Sequence, residues 1–329
     1  MLDEKTAIDA ARSGDEKAFT GLIAPYRREL RAHCYRMSGS LHDADDLVQD
    51  SLLRAWKGLA GFEGRSSLRT WLYKVTTSAC LDALERRGPR ALPMDLAPPS
   101  DGRSPIGPPR MDPVWIEPCP EELYDGPGSP EARYGLRESV ALAFLVALQV
   151  LPPTQRAALI LRDVLGWQAS ECAELLGTTV AAINSALQRA RDTMASRNVK
   201  SLAHKDTSAQ TAALLARYVE AWERADVTVL VALLREDATL AMPPLSDWLR
   251  GAPMIAGAIE AMVFAVAGPG AFQLVPTEAN GQPAFAAWQR DASGQMQPYA
   301  IHVLEIVDDR IASIVAFLDP RLPAHFAAR

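Results

Sequence analysis

The sequence predicts a multidomain protein: two all-α helical modules, the second a helix-turn-helix, followed by an α+β domain. Three observations predict this fold class. Apolar residues recur at helical spacing up to Gly88 and again from Glu131 to about Asn198. Twelve of the 24 prolines lie between these parts, from Pro89 to Pro130, and exclude regular packed structure there. The last third of the chain contains alternating patterns typical of β-strands.

The chain of 329 residues is long enough for two or three domains. Hydrophobic residues at 48% and charged residues at 22% are typical of a globular protein. We therefore predict a first helical module at residues 1–90, a proline-rich linker at 91–131, a helix-turn-helix module at 132–200 and an α+β domain at 205–329.

Several classes of protein are disfavoured by the composition. No apolar run approaches the roughly 20 residues of a membrane helix, and the acidic, amphipathic start MLDEKTAIDAARSGDEKAF lacks the layout of a secretory signal. The four cysteines (Cys34, Cys80, Cys119 and Cys172) are scattered without pairing or metal-ligand spacing. We expect a cytoplasmic protein with no membrane partner, no metal and no cofactor.

The net charge of −6 by itself argues against a nucleic-acid partner. However, the chain from Lys205 onward holds 9 basic and 14 acidic residues, a net of −5, which leaves −1 for everything upstream. The segment from Phe62 to Arg90 contains six basic residues and three acidic ones. The acidity therefore belongs mainly to the last module, and the first module has a modest basic face.

The segment HDADDLVQDSLLRAWKGLAGF predicts an amphipathic helix with Asp43, Asp45, Asp46 and Asp50 in its first turns. Carboxylates there suit the positive end of the helix dipole.

The next segment, EGRSSLRTWLYKVTTSACLDALERRG, predicts a helix with Ser66 or Ser67 as N-cap and Gly88 after its end. Its predicted buried stripe is Leu68, Leu72, Val75 and Ala79, and its predicted outward residues are Arg69, Tyr73, Lys74, Thr76 and Thr77. Aromatic residues between cations suit single-stranded nucleic acid, because rings stack on unpaired bases and cations follow phosphates. The alternative, that Trp71 and Tyr73 are core residues, stays open.

The proline-rich linker contains apolar residues that can dock on a neighbouring module: Val114, Trp115, Ile116, Leu123 and Tyr124. The pattern favours docking no more than an undocked linker.

The segment WQASECAELLGTTVAAINSALQRARD predicts two helices and a tight turn. In the first helix, Ala169, Cys172, Ala173 and Leu176 form an apolar stripe. Gly177 suits a helix C-cap, and Thr178 or Thr179 can cap the next helix. The second helix is predicted to bury Val180, Ile183, Leu187 and Ala190 and to expose Ala181, Asn184, Ser185, Gln188, Arg189 and Arg191. Such a polar face suits a helix in a DNA major groove, and a plain helical hairpin is the alternative.

The tail is predicted to begin with helices over 209–225 and 227–234 and to continue with strands, interrupted by a helix near 254–266. Two β-branched runs flank Asp308, Asp309 and Arg310, which predicts a hairpin there.

Together these segments resemble a bacterial sigma factor of the extracytoplasmic-function group. The match is carried by DADDLVQDSLLRAWK and SSLRTWLYKVTTSACLDALERR in the first module and by LPPTQRAALILRDVLGWQASECAELLGTTVAAINSALQRAR in the second. The tail resembles the SnoaL-like polyketide-cyclase superfamily, whose cone-shaped α+β fold also serves ketosteroid isomerases; WLRG at 248–251 and the closing hairpin carry this likeness.

The resemblance implies roles for individual residues. It assigns binding of the clamp helices of core RNA polymerase to Asp45, Asp46, Leu47, Gln49 and Asp50. It assigns capture of the unwound minus-ten element to Arg65, Arg69, Trp71, Tyr73, Lys74, Arg86 and Arg87. It assigns the minus-35 element to Thr179, Asn184, Ser185, Gln188, Arg189 and Arg191.

The second helix of the helix-turn-helix departs from the family pattern. Family members often carry a basic residue where this chain has Asn184, and Ala181 and Ala182 replace a common Gly-Thr pair. We therefore expect an unusual promoter preference, with more of the affinity supplied by attachment to polymerase.

The tail offers few candidate catalytic groups. Asp247, Tyr299, His302 and the Asp308/Asp309 pair are the obvious ones. The aspartate pair is expected to form the hairpin turn, and His302 fits a satisfied core histidine better than a catalytic one. We expect a regulatory domain whose ligand pocket, if retained, is lined by Trp248, Trp288, Tyr299 and His302.

The resemblance implies a promoter-specificity subunit, not an enzyme, that binds the clamp and flap regions of the large polymerase subunits and promoter DNA. The tail is expected to modulate this activity through contacts with the sigma modules and the linker, and an unidentified small-molecule ligand of the tail is left open. The alternative is a one-component helix-turn-helix regulator with a ligand-sensing or enzymatic tail, which binds duplex DNA without polymerase.

Overall fold

A computed structural model describes residues 3–102, 107–110, 115–123, 139–196 and 209–326. The chain divides into two compact units. The first contains residues 1–90 and 122–199, and the second contains residues 91–121 and 200–329. Within the described ranges, no helix is both long and apolar enough to cross a membrane.

The N-terminal half of the first unit is helical. It contains α1 (Glu4–Arg12), α2 (Glu16–Ile23), α3 (Arg27–Ser38), α4 (Leu41–Gly58) and α5 (Leu68–Leu84). Short 3₁₀ turns at Ala24–Tyr26 and Leu59–Gly61 extend α2 and α4.

Capping side chains set where these helices begin. The Ser40 hydroxyl accepts from the Asp43 N–H at 3.1 Å, and the Ser67 hydroxyl accepts from the Thr70 N–H at 3.1 Å. Each satisfies an amide that has no partner within its helix. Of the two predicted caps of α5, the structure therefore uses Ser67.

The second half of this unit contains the helix-turn-helix. Its helices are α7 (Leu142–Val150), α8 (Pro153–Leu159, continued by a π turn over Ile160–Val164), α9 (Ala169–Leu175) and α10 (Val180–Ser196). Gly177 lies beyond α9 with φ +63°, a conformation that favours glycine. The Thr179 hydroxyl accepts from the Ala182 N–H at 3.2 Å. The predicted glycine turn and threonine cap are confirmed.

The two helical halves pack on each other within the first unit, where α7 and α8 contact α3 and α8 also contacts α5. Arg156 of α8 is 2% exposed and donates to Gln149 Oε1 at 2.8 Å and to the carbonyl oxygen of Met37. Arg36 Nε donates to Ser139 Oγ at 3.0 Å. These buried donors find acceptors across the seam, which offsets much of the cost of burying them.

The second unit begins with the linker, which contains α6 (Pro93–Leu96). The Ile116 N–H donates to the Ala91 carbonyl at 3.2 Å, and the Trp115 indole N–H donates to the Arg110 carbonyl at 3.0 Å. Trp115, Ile116 and Leu123 are buried. These hydrogen bonds join linker residues to one another, and Leu123 belongs to the first unit. The linker also docks on the C-terminal domain, where the Asn280 N–H donates to the Cys119 carbonyl at 3.0 Å. Val114 and Tyr124, also predicted to dock, lie outside the described residues.

The C-terminal domain is built on a six-stranded sheet in the order β2-β1-β6-β5-β4-β3. Its strands are β1 (Leu234–Ala241), β2 (Trp248–Arg250), β3 (Phe272–Ala279), β4 (Gln282–Arg290), β5 (Met296–Val307) and β6 (Arg310–Phe317). β1 and β6 pair in parallel, and the other neighbours are antiparallel.

Helices cover this sheet. They are α11 (Ala209–Glu223), α12 (Val227–Leu233), α13 (Ala252–Ile259, continued through Glu260–Phe264 to Ala265–Ala267) and α14 (Pro323–Phe326). A core cluster joins α11 to the sheet through residues such as Tyr218, Phe285 and Leu304. Asp308 and Asp309 have φ of +52° and +55°. The β5–β6 hairpin and its turn-forming aspartates are confirmed, and the α+β fold is the one predicted.

Candidate nucleic-acid and protein interfaces

A groove of about 1040 Å³ lies beside the first turns of α5. The α4–α5 loop, defined as residues 59–67, lines this groove together with residues of α9. The side chains that line the groove include Phe62, Arg65, Trp71, Lys74, Glu171 and Glu174. The groove therefore combines an aromatic ring, cations on α5 and its preceding loop, and acidic residues on α9.

The two aromatic residues of α5 have different environments. Trp71 is half-buried at the groove, with its ring centroid 5.2 Å from that of Phe62. Tyr73 is fully buried, and its ring lies 5.2 Å from His33 and 5.4 Å from Trp167. The alternative that these are core residues therefore holds for Tyr73, whereas Trp71 keeps an accessible face.

The prediction that Tyr73, Thr76 and Thr77 face outward is wrong, since all three are buried. The reason is that α5 packs against α3 on one side and α8 on another, which widens its buried face beyond a single stripe. Thr77 Oγ1 lies 2.9 Å from His33 Nε2 inside this packing.

The predicted cations of the first module fall into two groups. Arg65, Lys74 and Arg86 are exposed, and Arg65 lies 3.0 Å from the Glu63 carboxylate. Arg69 and Arg87 instead pair with carboxylates of other helices, Glu29 of α3 and Asp43 of α4. The Arg69 guanidinium donates to Glu29 Oε2 at 2.9 and 2.7 Å and lies 5.0 Å from the centre of the Tyr73 ring.

Arg87 and Arg90 both bind the buried Asp43 carboxylate, Arg90 at 2.6 Å. Burial acts to raise the pKa of Asp43, but hydrogen bonds from Arg90 and Arg87 outweigh it and hold that pKa below its ordinary value. Arg87 therefore has a structural partner, and of the predicted set Arg65 and Lys74 are the cations that line the groove.

The acidic face of α4 is only partly as expected. Asp46, Gln49 and Asp50 are exposed, while the Asp45 carboxylate accepts from Arg31 at 2.5 and 2.9 Å. Leu47 is 7% exposed, so its side chain packs mainly within the module, and its place in a protein interface stays a prediction. Leu47 lies on the same helix face as the buried Ala44 and Ser51, three and four residues away.

The outer face of α10 is polar and open. Asn184, Ser185, Gln188 and Arg189 are exposed, and the hydrogen bonds of their side chains within the described ranges are local, such as Arg189 Nη1 to Ser185 Oγ at 2.7 Å. Arg191 instead donates to both Asp163 carboxylate oxygens, at 3.0 and 2.6 Å.

Val180 is 43% exposed, so the prediction that it is buried is wrong. It starts the helix, and Ile183, at 1% exposure, is the first α10 residue that reaches the core.

The core of the C-terminal domain is filled with aromatic rings. His302 Nδ1 lies 3.0 Å from the Tyr218 hydroxyl, and the His302 ring centroid is 4.6 Å from that of Trp222. Trp222 also contacts Phe264 and Phe272 edge to face. Burial lowers the pKa of His302 to about 4, so the ring is neutral at pH 7. His302 is thus the satisfied core histidine that the sequence favoured.

The four residues predicted to line a tail pocket have different surroundings, and their shared pocket stays a prediction. The Trp248 indole N–H donates to the Ala97 carbonyl of the linker at 2.7 Å, whereas His302 lies against Trp222. Tyr299 packs at 5.6 Å from Phe272, at the margin of the core, and Trp288 is half-buried on β4.

The linker forms hydrogen bonds with Asp247, a candidate catalytic residue, and with Trp248, a candidate pocket residue. Asp247 Oδ2 accepts from the Gly107 N–H at 2.8 Å, and the Ser100 N–H donates to the Trp248 carbonyl at 2.8 Å. Asp247 is therefore an anchor for the linker and not a free acid.

A further linker anchor, Asn280, was missed. The Asn280 amide oxygen accepts from the Cys119 N–H, and the Asn280 N–H donates to the Cys119 carbonyl, both at 3.0 Å. The Asn-Gly pair at 280–281 is a hairpin signal in the sequence. The pairing of Asn280 with Cys119, 161 positions away, has no comparable signal in the nearby sequence.

Comparison with known proteins gives a consistent result for all three parts of the chain. Family models for sigma-70 region 2, sigma-70 region 4 and the SnoaL-like domain match residues 22–90, 141–194 and 215–314. The ECF RNA polymerase sigma factor SigG of Mycobacterium tuberculosis is 47% identical over 328 residues, which covers 98% of this chain and 86% of that one. The ECF RNA polymerase sigma factor SigE of Mycolicibacterium smegmatis is 28% identical over 203 residues, 61% and 69% of the two chains.

Among solved structures, the crystal structure of the extracytoplasmic-function sigma factor SigJ of Mycobacterium tuberculosis aligns with a TM-score of 0.57 at 22% identity. It covers 90% of this chain and 94% of that one, and this likeness concerns the fold alone.

Two sigma-70 regions joined by a linker define an RNA polymerase sigma factor. The chain belongs to the extracytoplasmic-function (ECF) family of RNA polymerase sigma factors and carries a SnoaL-like C-terminal domain. Members of this family bind core RNA polymerase and promoter DNA to initiate transcription. The sigma factor function is therefore supported over the one-component regulator.

Proposed function

We propose that this sigma factor meets its partners through three surfaces of the first unit and that its C-terminal domain acts on the linker. The surfaces are the exposed face of α4, the groove beside α5 and the polar face of α10. The exposed polar face of α10 behind a glycine turn is the observation that carries the DNA-binding part of this proposal.

The α4 surface is proposed to bind the clamp of core polymerase. Asp46, Gln49 and Asp50 are exposed along one side of the helix, and Leu53 beside them is 59% exposed. An acidic rim around an exposed apolar side chain suits a basic protein surface, because charge steers the encounter and apolar burial supplies affinity. The helix-turn-helix module is proposed to bind the flap.

The groove beside α5 is proposed to bind the unpaired strand of the minus-ten element. Trp71 offers a ring on which a base can stack, and Arg65 and Lys74 lie where they can contact phosphates. Glu171 and Glu174 of α9 also line the groove, and carboxylates there repel a phosphate backbone. We therefore propose that α9 moves away from this groove when DNA binds.

The α10 helix is proposed to read the minus-35 element in the major groove. Asn184 and Gln188 carry the amide groups that pair well with adenine, and Arg189 can bind guanine or phosphate. Arg191 is left out of this set because Asp163 already binds it.

The C-terminal domain is proposed to be a regulatory domain without catalysis, which restrains the sigma factor by holding its linker. Among the described linker residues, Ala97, Ser100, Gly107, Arg110 and Cys119 hydrogen-bond to this domain. His302 and Asp247, two of the candidate catalytic groups, are both engaged in structural hydrogen bonds. The proposal does not extend to a small-molecule ligand.

Run-off transcription with core polymerase over a set of genomic upstream regions tests these assignments. The full-length protein is expected to yield promoter-specific transcripts, and removal of residues beyond 204 is expected to increase them. A decrease after truncation contradicts the restraining role, and failure to co-purify with core polymerase contradicts the proposal as a whole.

A further inference from the structure

A side chain from α1 fastens the α4–α5 loop. Arg12 Nε donates to the Leu59 carbonyl at 3.3 Å, and Arg12 Nη2 donates to the Phe62 carbonyl. Its side chain is 34% exposed, and Asp9 lies 3.3 Å away on the same helix. One guanidinium thus joins two carbonyls that are three residues apart in the loop.

These two carbonyls lie at the end of the α4 segment, where a positive charge is stabilising. Leu59–Gly61 forms the last turn of the α4 segment, where the Leu59 carbonyl accepts from the Phe62 N–H at 3.1 Å and keeps a second lone pair for Arg12. The negative end of the helix dipole also lies there and favours a positive charge. Hydrogen bonds from a charged donor are stronger than neutral ones. Arg12 therefore fixes both the end of α4 and the path by which the chain leaves it.

The loop leads directly to the groove. Phe62 is 6% exposed, and its ring packs against Trp71, while Arg65 follows three residues later on the groove edge. A loop freed at the Phe62 carbonyl would shift the Phe62 ring, the face of Trp71 that it covers, and Arg65.

We propose that Arg12 is a positioning residue for recognition of the minus-ten element, acting through the α4–α5 loop without contacting DNA. The inference rests on the proposed function of the groove. The sigma-70 region 2 match starts at residue 22, so Arg12 lies outside the segment that the match covers.

The test uses holoenzyme reconstituted with full-length wild type, R12A, R12K or the control K5A, which removes an exposed cation from the same helix. A promoter is first selected by run-off transcription with wild-type holoenzyme, and a copy with a substituted minus-ten element is made. The ratio of transcripts from the two templates is measured, together with the affinity of each holoenzyme for a single-stranded minus-ten oligonucleotide.

We expect R12A to lower the transcript ratio and the oligonucleotide affinity by about tenfold, the effect of losing one or two charge-assisted hydrogen bonds. R12K keeps the positive charge on a single nitrogen, without the guanidinium fork that joins two carbonyls, and is expected to recover part of the transcript ratio and part of the oligonucleotide affinity. K5A is expected to match wild type, and affinity for a minus-35 duplex is expected to be unchanged in all variants.

The ratio does not depend on how much of the protein is active, so a variant that only folds less well leaves it unchanged. If R12A reduces total transcript but keeps the wild-type ratio and oligonucleotide affinity, Arg12 is merely structural and the inference is overturned. The proposed function fails in a different way, because wild-type holoenzyme and W71A would then bind minus-ten and scrambled oligonucleotides equally.

Discussion

The two helices proposed to contact DNA, α5 and α10, show how differently packing treats a polar helix face. α10 packs on the preceding helices by one side and leaves Asn184, Gln188 and Arg189 exposed. α5 is covered on two sides, so Tyr73 is buried and Arg69 is held by Glu29, while Trp71 keeps an accessible face. When a helix packs on one side only, the spacing of its apolar residues predicts which residues are exposed for contacts. When a helix packs on two sides, that spacing does not predict them.

The largest expected effect separates the two aromatic residues of α5. Y73A is expected to lower the free energy of unfolding by about 3–5 kcal/mol, because it empties a fully buried site among rings. W71A is expected to cost less stability and to weaken binding of a single-stranded minus-ten oligonucleotide instead. Urea unfolding and fluorescence anisotropy measure the two effects. Equal losses of stability would break the distinction between the two positions.

The buried histidine of the C-terminal domain predicts a pH dependence. Burial lowers the pKa of His302 from 6.5 to about 4, so the unfolded chain binds this proton first as pH falls. Stability is fully present above pH 6.5 and declines toward pH 4, by about 2 kcal/mol between pH 7 and pH 5.

The variant H302Q keeps a hydrogen-bonding group for Tyr218 and is expected to remove the His302 part of this decline, while His33 of α3, whose pKa burial lowers to about 3, keeps its own part. H42Q is the control, since the His42 side chain is 81% exposed. The free energy of unfolding of each variant is measured at pH 7 and at pH 5 by unfolding monitored with near-UV circular dichroism. A decline that persists unchanged in H302Q would assign the pH dependence to other groups.

Two arginines of α10 sharpen the comparison on the exposed side. R189A is expected to weaken minus-35 duplex binding by about 1–2 kcal/mol and to lower the salt slope of binding by about one. R191A removes only an exposed pair with Asp163 and is expected to change stability and DNA affinity by less than about 1 kcal/mol. Titrations of holoenzyme at several salt concentrations measure both. A larger DNA effect for R191A would restore it to the contact surface.

The smallest expected effect concerns the linker. W248F removes the indole N–H that donates to Ala97 while keeping an aromatic ring, and is expected to cost about 1 kcal/mol of linker docking. W288F removes an indole N–H elsewhere in the same domain and serves as control. Limited proteolysis is expected to cut the W248F linker faster, with more transcript in run-off assays. Identical cleavage of the two variants would contradict the role of Trp248.

Much of the fold follows from local signals in the sequence. Gly177 and Thr179 mark the turn of the helix-turn-helix, Ser67 caps α5, and the Asp308–Asp309 pair marks the last hairpin, each through chemistry within a few residues. These features could be predicted because their partners are near in the chain.

The features that could not be predicted depend on distant partners. Tyr73 is buried partly by Trp167, and Asp247 is engaged by Gly107. Arg12 finds its acceptors 47 and 50 residues away. Leu47 is different, because its burial follows from helical period and was obscured by the acidic residues around it.

The central claim is that α5 and α10 are separate DNA surfaces that polymerase brings to one promoter. Run-off transcription with wild-type, W71A and N184A holoenzymes tests it on duplex templates and on templates whose minus-ten region is already unpaired by mismatches. We predict that W71A gives less transcript than wild type on both kinds of template, because its base contact is lost. We also predict that substituting the minus-35 element lowers transcription by wild type and by W71A but lowers transcription by N184A only a little further. Transcription by W71A and N184A at wild-type levels, with wild-type responses to both promoter elements, would contradict it.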